Sequence, residues 1–320
     1  NNDKFIEDKG IVSIMYHRFN ETKYPSTNIN MDIFKKQIEI IKNNKIEFYD
    51  PKDFDNNFDA PKLQKKILLT IDDGYISFYK HAWPFLKKNK IPFLLFISTK
   101  QVGNKGYMNW EQINEVSKED FAYIGNHSYS HDYLVDFKFE EFKIDINKAI
   151  TNFKKNLGFN PIFFSYPFGE FSLKQKNFIK KNFKYAFGQH SGVIDINKDK
   201  FELPRFPINE KYGDLDRFEF LIKLHALQYQ FLKPEDKLIN KKNNPPKIIV
   251  KFFKDQKNLN KINCFSNEGG NWDKVDFELD DEYLKLKLKK KFLPRRGRVN
   301  CSLNDNGKWK WFGTQFTIEN

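Results

Sequence analysis

The feature that most constrains the fold is the alternation of short apolar runs with helix-like segments through the first three quarters of the chain. The segments between the runs repeat apolar residues at helical spacing, as at 139–157, which ends at Gly158, a residue typical of helix C-termini. This alternation predicts an α/β fold with parallel strands and right-handed crossovers, and the last helix is predicted at 215–231. The apolar runs have the length of buried strands and occupy residues 11–16, 67–71, 91–97, 121–125, 162–166 and 185–188.

A second region begins after Asn243–Pro246, where the hydrophobic period changes from helical to alternating. Turn residues at Gly269–Gly270 and Asn304–Gly307 separate its segments. We therefore divide the chain into an α/β domain over residues 1–244 and a small β-rich domain over residues 245–320. Strands of this second domain are predicted at residues 247–253, 275–279, 283–288 and 309–318.

The composition gives the chain a formal net charge of +13 and a pI near 9.3. A basic surface attracts nucleic acid, anionic glycans or anionic membranes, but no nucleic-acid motif accompanies the lysines. We therefore expect no nucleic-acid partner, whereas an anionic glycan or an anionic membrane surface stays a possible partner. No apolar stretch reaches the length of a membrane span, and no signal peptide is recognisable. The oligomeric state is not predicted.

Two cysteines are present, Cys264 and Cys301, both in the last quarter of the chain. They form one disulfide if the protein is exported, or stay as two buried thiols. Their spacing is unlike that of a zinc or redox site. Three tryptophans of the same region, Trp272, Trp309 and Trp311, either stack on sugar rings or fill a β core.

Two adjacent carboxylates follow one of the apolar runs. The run at 67–71 ends in Asp72 and Asp73, and Gly74 then permits a sharp turn. Parallel α/β folds place their chemistry at the carboxyl ends of strands, so this pair is a candidate site. The alternative is a solvated turn in which both acids face water.

Two histidines four residues apart, His127 and His131, follow another predicted strand. Both imidazoles can bind one metal from a tight loop. In a parallel barrel the strand ends share one rim, so the histidines and the carboxylates are expected to meet there. A carboxylate with two histidines is an arrangement typical of metal-dependent hydrolases.

Four segments of the chain match one set of motifs: Thr70–Gly74 (T-I-D-D-G), His127–His131 (H-S-Y-S-H), Phe164–Gly169 (F-S-Y-P-F-G) and Leu203–Phe206 (L-P-R-F). Together they resemble the polysaccharide deacetylases that carry a NodB-homology domain, carbohydrate esterase family four, in the branch whose third motif is F-x-Y-P-F-G. The resemblance covers about residues 10–235. It implies a distorted (β/α) barrel of about seven parallel strands and a metal-dependent hydrolase that removes N-acetyl groups from a carbohydrate.

The resemblance also implies roles for single residues. Asp73, His127 and His131 would bind a divalent metal, commonly zinc, and Asp72 would be the general base. The backbone N–H of Phe168 would stabilise the oxyanion. The chemistry agrees, because an amide carbonyl is a poor electrophile that needs polarisation and an activated water.

Two departures from the family pattern leave roles open. The common third motif carries an arginine that orients the base, but Ser165 stands there, so Arg205 is our candidate from another loop. The family's general acid is a histidine in a final L-x-[IL]-H motif, which His225 matches only in part. His17, at the end of the first strand, and His190 are the other candidates.

The expected substrate is a carbohydrate bearing N-acetyl groups. One alternative keeps the same site but acts on O-acetyl esters or on a non-sugar amide. Another is a glycan-binding module with a decayed site, which the intact set of base and ligand positions opposes. We expect a periplasmic, extracellular or envelope-associated protein rather than a cytoplasmic one.

Overall fold

A computed structural model describes residues 4–320, so residues 1–3 of the predicted first domain lie outside the described residues. The helices are α1 (Met31–Asn43), α2 (Asp53–Asn57), α3 (Trp83–Asn89), α4 (Trp110–Ser117), α5 (Phe139–Leu157), α6 (Leu173–Asn182) and α7 (Leu215–Ile222). The strands up to residue 207 are β1 (Ile11–Tyr16), β2 (Arg18–Phe19), β3 (Asn28–Ile29), β4 (Glu47–Phe48), β5 (Lys66–Asp72), β6 (Phe93–Ile97), β7 (Ala122–Asn126), β8 (Phe163–Ser165), β9 (Tyr185–Phe187) and β10 (Phe206–Pro207).

The first sheet is a distorted parallel half-barrel, which confirms the predicted fold. Seven strands follow one another in the order β10-β1-β5-β6-β7-β8-β9, all parallel, with β4 paired beside β5 and β2 paired separately with β3. Tyr16 pairs with Ile71, and Asp72 pairs with Phe96 on the next strand. This register brings the residues that follow β1, β5 and β7 to one edge.

The helices cover the sheet with the stripes predicted from their periodicity. On α5, Phe142, Ile146 and Phe153 are buried. Gly158 ends that helix with φ +83°, a left-handed conformation that favours glycine. After the carboxylates the chain forms a π-helical turn, Phe78–Ala82, and then α3, whose first turn holds Pro84. No helix within residues 4–320 is long and apolar enough to cross a bilayer.

One prediction at the end of the first unit is wrong. The helix predicted over 215–231 stops at Ile222, and the chain then forms two short strands that belong to a second sheet. His225 pairs with Lys310, and Tyr229 pairs with Phe252. Partners this distant along the chain outweigh a local periodic pattern, because strand pairing is set by tertiary contacts.

The second sheet is a mixed sheet of nine strands, as expected for a β-rich C-terminal region. Its order is β11-β19-β18-β15-β16-β17-β14-β12, with β13 also paired to β19. Sequence patterns did not identify β15 or β18. The strands are β11 (His225–Ala226), β12 (Tyr229–Lys233), β13 (Leu238–Ile239), β14 (Ile249–Phe252), β15 (Asn263–Ser266), β16 (Asp273–Asp280), β17 (Tyr283–Lys287), β18 (Arg296–Asp305) and β19 (Lys308–Ile318).

A disulfide joins Cys264 of β15 to Cys301 of β18, which are directly paired in the sheet. The division of the chain at residue 244 stays a proposal. Because β11, β12 and β13 precede that residue yet pair with β14 and β19, the strand pairing favours a boundary near Leu224. A truncation at Asn244 would leave these three strands without partners.

Candidate active site

The two carboxylates sit at the end of β5 and turn toward the same side. Asp72 is fully buried and Asp73 is 8% exposed. Asp73 has φ +80°, a left-handed conformation that is unusual for an aspartate and marks local strain. Gly74 follows with φ +71°, and a Cβ there would come within 2.5 Å of Ile97 Cδ1. The glycine is therefore required for the turn that brings both acids to the rim.

The two histidines meet Asp73 at this rim. Asp73 Oδ1 lies 3.3 Å from His127 Nε2 and 3.1 Å from His131 Nε2. One ligand atom from each residue lies within 4.8 Å of the others. Two ligands of a tetrahedral zinc ion, each about 2.0 Å from it, are separated by roughly 3.3 Å, so the spacing fits such a site.

A fixed loop carries the histidines. Ser128 and His131 both have positive φ, +74° and +56°, and the Ser128 hydroxyl accepts a hydrogen bond from the His131 amide. The carboxylate of Asp145 on α5 accepts from the amides of Tyr129 and Ser130. Sequence reasoning did not identify Asp145, because it lies on a helix stripe outside every motif.

The hydrogen bonds of His127 set its tautomer. Its Nδ1 lies 2.7 Å from the Ser165 carbonyl oxygen, which only accepts, so Nδ1 carries the proton and Nε2 has a free lone pair. Among residues 4–320, His127 Nε2 and Asp73 Oδ1 are buried without a hydrogen-bond partner. Two lone pairs that face each other with no proton between them repel, and a cation bound between them would remove that repulsion. The residues therefore fit a divalent metal.

Arg205 forms a bidentate ion pair with Asp72. Its Nη1 lies 2.7 Å from Oδ1 and its Nη2 lies 2.9 Å from Oδ2, and both side chains are fully buried. The guanidinium also donates to the Gly188 carbonyl, the Thr70 hydroxyl and the Ser165 hydroxyl. Burial alone raises the pKa of Asp72, but Arg205 and the nearby imidazoles outweigh burial and hold the pKa below its usual range.

The surroundings of Ser165 explain why the third motif carries a serine where the family motif has an arginine. Its small side chain lies between Arg205 Nη2, at 3.1 Å, and His127 Nδ1, at 3.0 Å. An arginine at position 165 would compete for the space that the Arg205 guanidinium occupies. The arginine charge beside Asp72 thus comes from the loop before β10 instead.

The three candidate acids occupy different places. His17 Nε2 lies 3.9 Å from Asp72 Oδ2, and its side chain is 14% exposed. Burial lowers the pKa of His17, while Asp73 and Asp72 oppose the effect. His190 and His17 line one cleft between the two sheets, and burial lowers the pKa of His190 to about 4.

The prediction of His225 as general acid does not fit the fold. His225 lies on β11 beside Lys310. Burial lowers the pKa of His225, and the charges of Lys65, Lys308, Lys310 and Lys9 add to that effect. Lys65 directly precedes β5, at the edge of the first sheet opposite to the carboxylates. The partial motif match at Leu224 and His225 thus lies in a segment of the second sheet, away from the rim that holds the carboxylates.

Phe168 connects the rim to the second sheet. It has φ +60°, and its ring stacks on Tyr133 with centroids 4.3 Å apart. Gln315 of β19 donates from Nε2 to the carbonyls of Phe168 and Gly169, at 3.1 and 3.2 Å. Nearby, the Arg295 guanidinium contacts the carboxylate of Glu170. No sequence motif identified Gln315, because this contact spans nearly half the chain.

A cleft of about 770 Å³ opens beside these groups and is bounded by both sheets. Trp272, which is 51% exposed, and Trp311 line it, whereas Trp309 lies outside. The second sheet therefore forms part of the cleft wall. Lining residues from the first unit include His17, Asp73, Tyr75, His131, Phe168, Phe206, Ile208, Tyr212 and Arg217. The second sheet contributes Arg298, Asn300 and Trp311, and Trp272 directly precedes its strand β16.

Comparison with known proteins gives concordant matches. Residues 59–186 match the family model described as polysaccharide deacetylase. The poly-beta-1,6-N-acetyl-D-glucosamine N-deacetylase of Staphylococcus aureus is 26% identical over 211 residues, which cover 61% of this chain and 71% of that protein. The protein of the same name from Staphylococcus epidermidis is 26% identical over 205 residues, covering 59% and 69%.

Solved structures agree on the fold. The structure of IcaB from Ammonifex degensii superposes with a TM-score of 0.59 at 25% identity, and the match covers 68% of this chain and 99% of that one. The Streptococcus pyogenes deacetylase PplD in complex with acetate has a TM-score of 0.60 at 20% identity, covering 67% and 98%. At that identity the second match supports the fold alone.

Proposed function

Since this chain belongs to the polysaccharide deacetylase family and is a carbohydrate deacetylase, we propose that it is a metal-dependent hydrolase that removes N-acetyl groups from a glycan. The observation that carries the proposal is the Asp72–Arg205 ion pair beside the Asp73, His127 and His131 group. The ion pair supplies a base that stays ionised, and the Asp73, His127 and His131 group supplies ligands for a divalent ion, which we propose is zinc.

The metal residues and the base have separate tasks in this proposal. Asp73, His127 and His131 would hold a divalent ion, which when bound would supply Lewis acidity toward the amide carbonyl and the attacking water. Asp72 accepts the proton of that water, because Arg205 fixes the carboxylate and keeps it ionised. Arg205 is a positioning residue, since it acts through Asp72.

The remaining steps need a donor to the oxyanion and a donor to the leaving amine. We assign the first to the backbone N–H of Phe168, whose loop is held by Gln315. We assign the second to His17, because it faces Asp72 at 3.9 Å and reaches the cleft. Among the three histidines considered, its contact with Asp72 favours it over His190 and His225.

The substrate proposed is a glycan of N-acetylglucosamine residues, the sugar named for the staphylococcal relatives. The exposed Trp272 offers an aromatic face for a sugar ring in the cleft. The disulfide supports a location outside the cytoplasm, where such bonds persist.

Acetate release tests the proposal. The protein is given β-1,6-linked and β-1,4-linked N-acetylglucosamine oligomers, an O-acetylated xylan oligomer and a non-sugar acetanilide. We expect release from an N-acetylglucosamine oligomer and loss of that release with chelator. Release from the O-acetyl ester alone, or from the acetanilide alone, would replace the proposal with the corresponding activity.

A further inference from the structure

We propose that the cleft contains a second recognition site, formed by Arg217 and Arg298, for an anionic group carried by the glycan. The anionic group is a carboxylate or a phosphate. The inference rests on the proposed function, because it specifies the substrate class of the same cleft.

The two arginines approach the cleft from the two units of the chain. Arg217 lies in the first turn of α7, and Arg298 lies on β18. Both line the cleft that also reaches Asp73 and His131. A substrate placed with its acetamido group at the candidate metal ligands would thus have its neighbouring groups in the cleft that both arginines line.

Neighbouring neutral groups hold both side chains in place. Arg217 Nη1 donates to the Tyr212 carbonyl oxygen at 2.6 Å, and its guanidinium carbon is 5.1 Å from the Tyr212 ring centroid. Arg298 Nε donates to Gln315 Oε1 at 3.1 Å. These contacts restrain the side chains without neutralising them, and they leave other N–H donors of each guanidinium group available.

The absence of a carboxylate partner distinguishes these two arginines from the others. The chain has six arginines, all within the described residues. Four form ion pairs with acids: Arg18 with Glu21, Arg205 with Asp72, and Arg295 and Arg296 with Glu170. For residues 4–320, neither Arg217 nor Arg298 has a carboxylate within 4 Å.

Two acids outside the cleft lining, Asp214 near Arg217 and Glu170 near Arg298, raise the pKa values of these arginines in part. Among the described residues, the cleft itself offers no acid that is free to pair with the two charges. Its one carboxylate among the described residues is Asp73, which the candidate metal site uses. Burial lowers the pKa of both arginines, and the neighbouring Arg296 adds to that effect at Arg298. Partly buried cations of this kind gain stability when an anion binds, and a guanidinium group matches a carboxylate or phosphate through two parallel hydrogen bonds.

Three matched probes test the inference. They are a β-1,6-linked N-acetylglucosamine pentamer, the same pentamer oxidised to a uronate at its terminal C6, and the same pentamer phosphorylated at that position. Binding is measured by calorimetry at about 150 mM salt, where long-range attraction by the basic surface is screened. An Asp72→Asn background prevents turnover during the titration.

The variants are Arg217→Gln and Arg298→Gln, with Lys223→Gln as the matched control. Lys223 lies at the other end of α7, is exposed and is not among the cleft-lining residues, so its loss removes the same charge elsewhere. We expect at least one charged pentamer to bind about 10- to 100-fold more tightly than the neutral one, as for a hydrogen-bonded ion pair. Each arginine variant should lose most of that preference, while Lys223→Gln keeps it.

Binding of the neutral pentamer checks that each variant is folded, and the Arg217→Lys and Arg298→Lys variants should recover part of the preference. A stronger effect with the uronate or with the phosphate identifies the anion. Equal binding of all three pentamers, or a preference that persists in both glutamine variants, would overturn the inference. Acetate release by the wild-type protein is scored separately, so failure of the deacetylase function is distinguishable from failure of this site.

Discussion

The Arg205 guanidinium and the Asp72 carboxylate face each other as a fully buried bidentate pair, with nitrogen–oxygen distances of 2.7 and 2.9 Å. Thr70 and Ser165 complete the contacts of the guanidinium group. This pair comes from strand β5 and from a loop more than 130 residues later in the chain. It keeps the proposed base ionised and oriented.

Replacing Arg205 by glutamine should raise the pKa of Asp72, because the largest opposing charge is removed from a buried carboxylate. A base must be ionised to act, so the acidic limb of the kcat profile should move to higher pH. At the optimum, kcat should fall by about 10- to 100-fold. The pH dependence of acetate release measures both effects. Arg205→Lys retains the charge and should shift the limb less, and an unshifted limb in Arg205→Gln would contradict the assignment.

Gln315 should influence catalysis from the second sheet. In Gln315→Glu the acceptor toward Arg298 remains, but the amide donor to the Phe168 and Gly169 carbonyls is lost. We expect kcat to fall by about 10- to 100-fold, because the proposed oxyanion donor shifts. Metal content should stay at the wild-type value. Steady-state kinetics with metal analysis separate the outcomes: a change in KM alone would assign Gln315 to substrate binding instead.

Matched asparagine variants of His17 and His225 test which histidine donates the proton to the leaving amine. His17→Asn should reduce kcat by about a hundredfold or more, because protonation of the leaving amine is lost. His225→Asn should keep kcat within about twofold, since the residue lies near Lys65 at the opposite edge of the sheet. Both variants are assayed on the same oligomer. Loss of activity in His225→Asn with wild-type activity in His17→Asn would reverse our assignment.

His225 should instead affect the stability of the protein in acid. Burial and neighbouring lysines lower its pKa to about 4, below the usual value near 6.5. The unfolded chain therefore binds a proton between pH 6.5 and pH 4 that the native protein does not. The free energy of unfolding should fall as the pH drops through this window, and His225→Asn should reduce the slope. Urea unfolding at pH 7 and pH 5 measures this, and an unchanged slope would contradict the burial of a neutral imidazole.

Most of the first unit could be predicted from the sequence, because its signals are local. The β5 strand, the α5 helix ending at Gly158 and the motifs at Asp72–Asp73 and His127–His131 each follow from a short pattern. The parallel topology then brings those strand ends to one rim. Arg205 was identified as a candidate because the third motif lacked its arginine.

Other features depended on distant contacts and gave no local signal. The chain after Ile222 reads as helix, yet it pairs with β14 and β19. Gln315 lies in an ordinary strand pattern, and only the packing of β19 against the Phe168 loop gives it a role. Arg217 and Arg298 form no ion pair within residues 4–320, and this likewise depends on where the fold places the acids.

The proposed function requires a metal ion held by Asp73, His127 and His131. Its most direct test is a titration of Zn²⁺ into chelator-treated protein, with acetate release from an N-acetylglucosamine oligomer followed at each addition. We predict that activity returns in proportion to bound metal up to about one equivalent. We also predict that Asp72→Asn binds the same equivalent without activity, and that His131→Ala binds much less. Full activity in the metal-free protein would contradict the account.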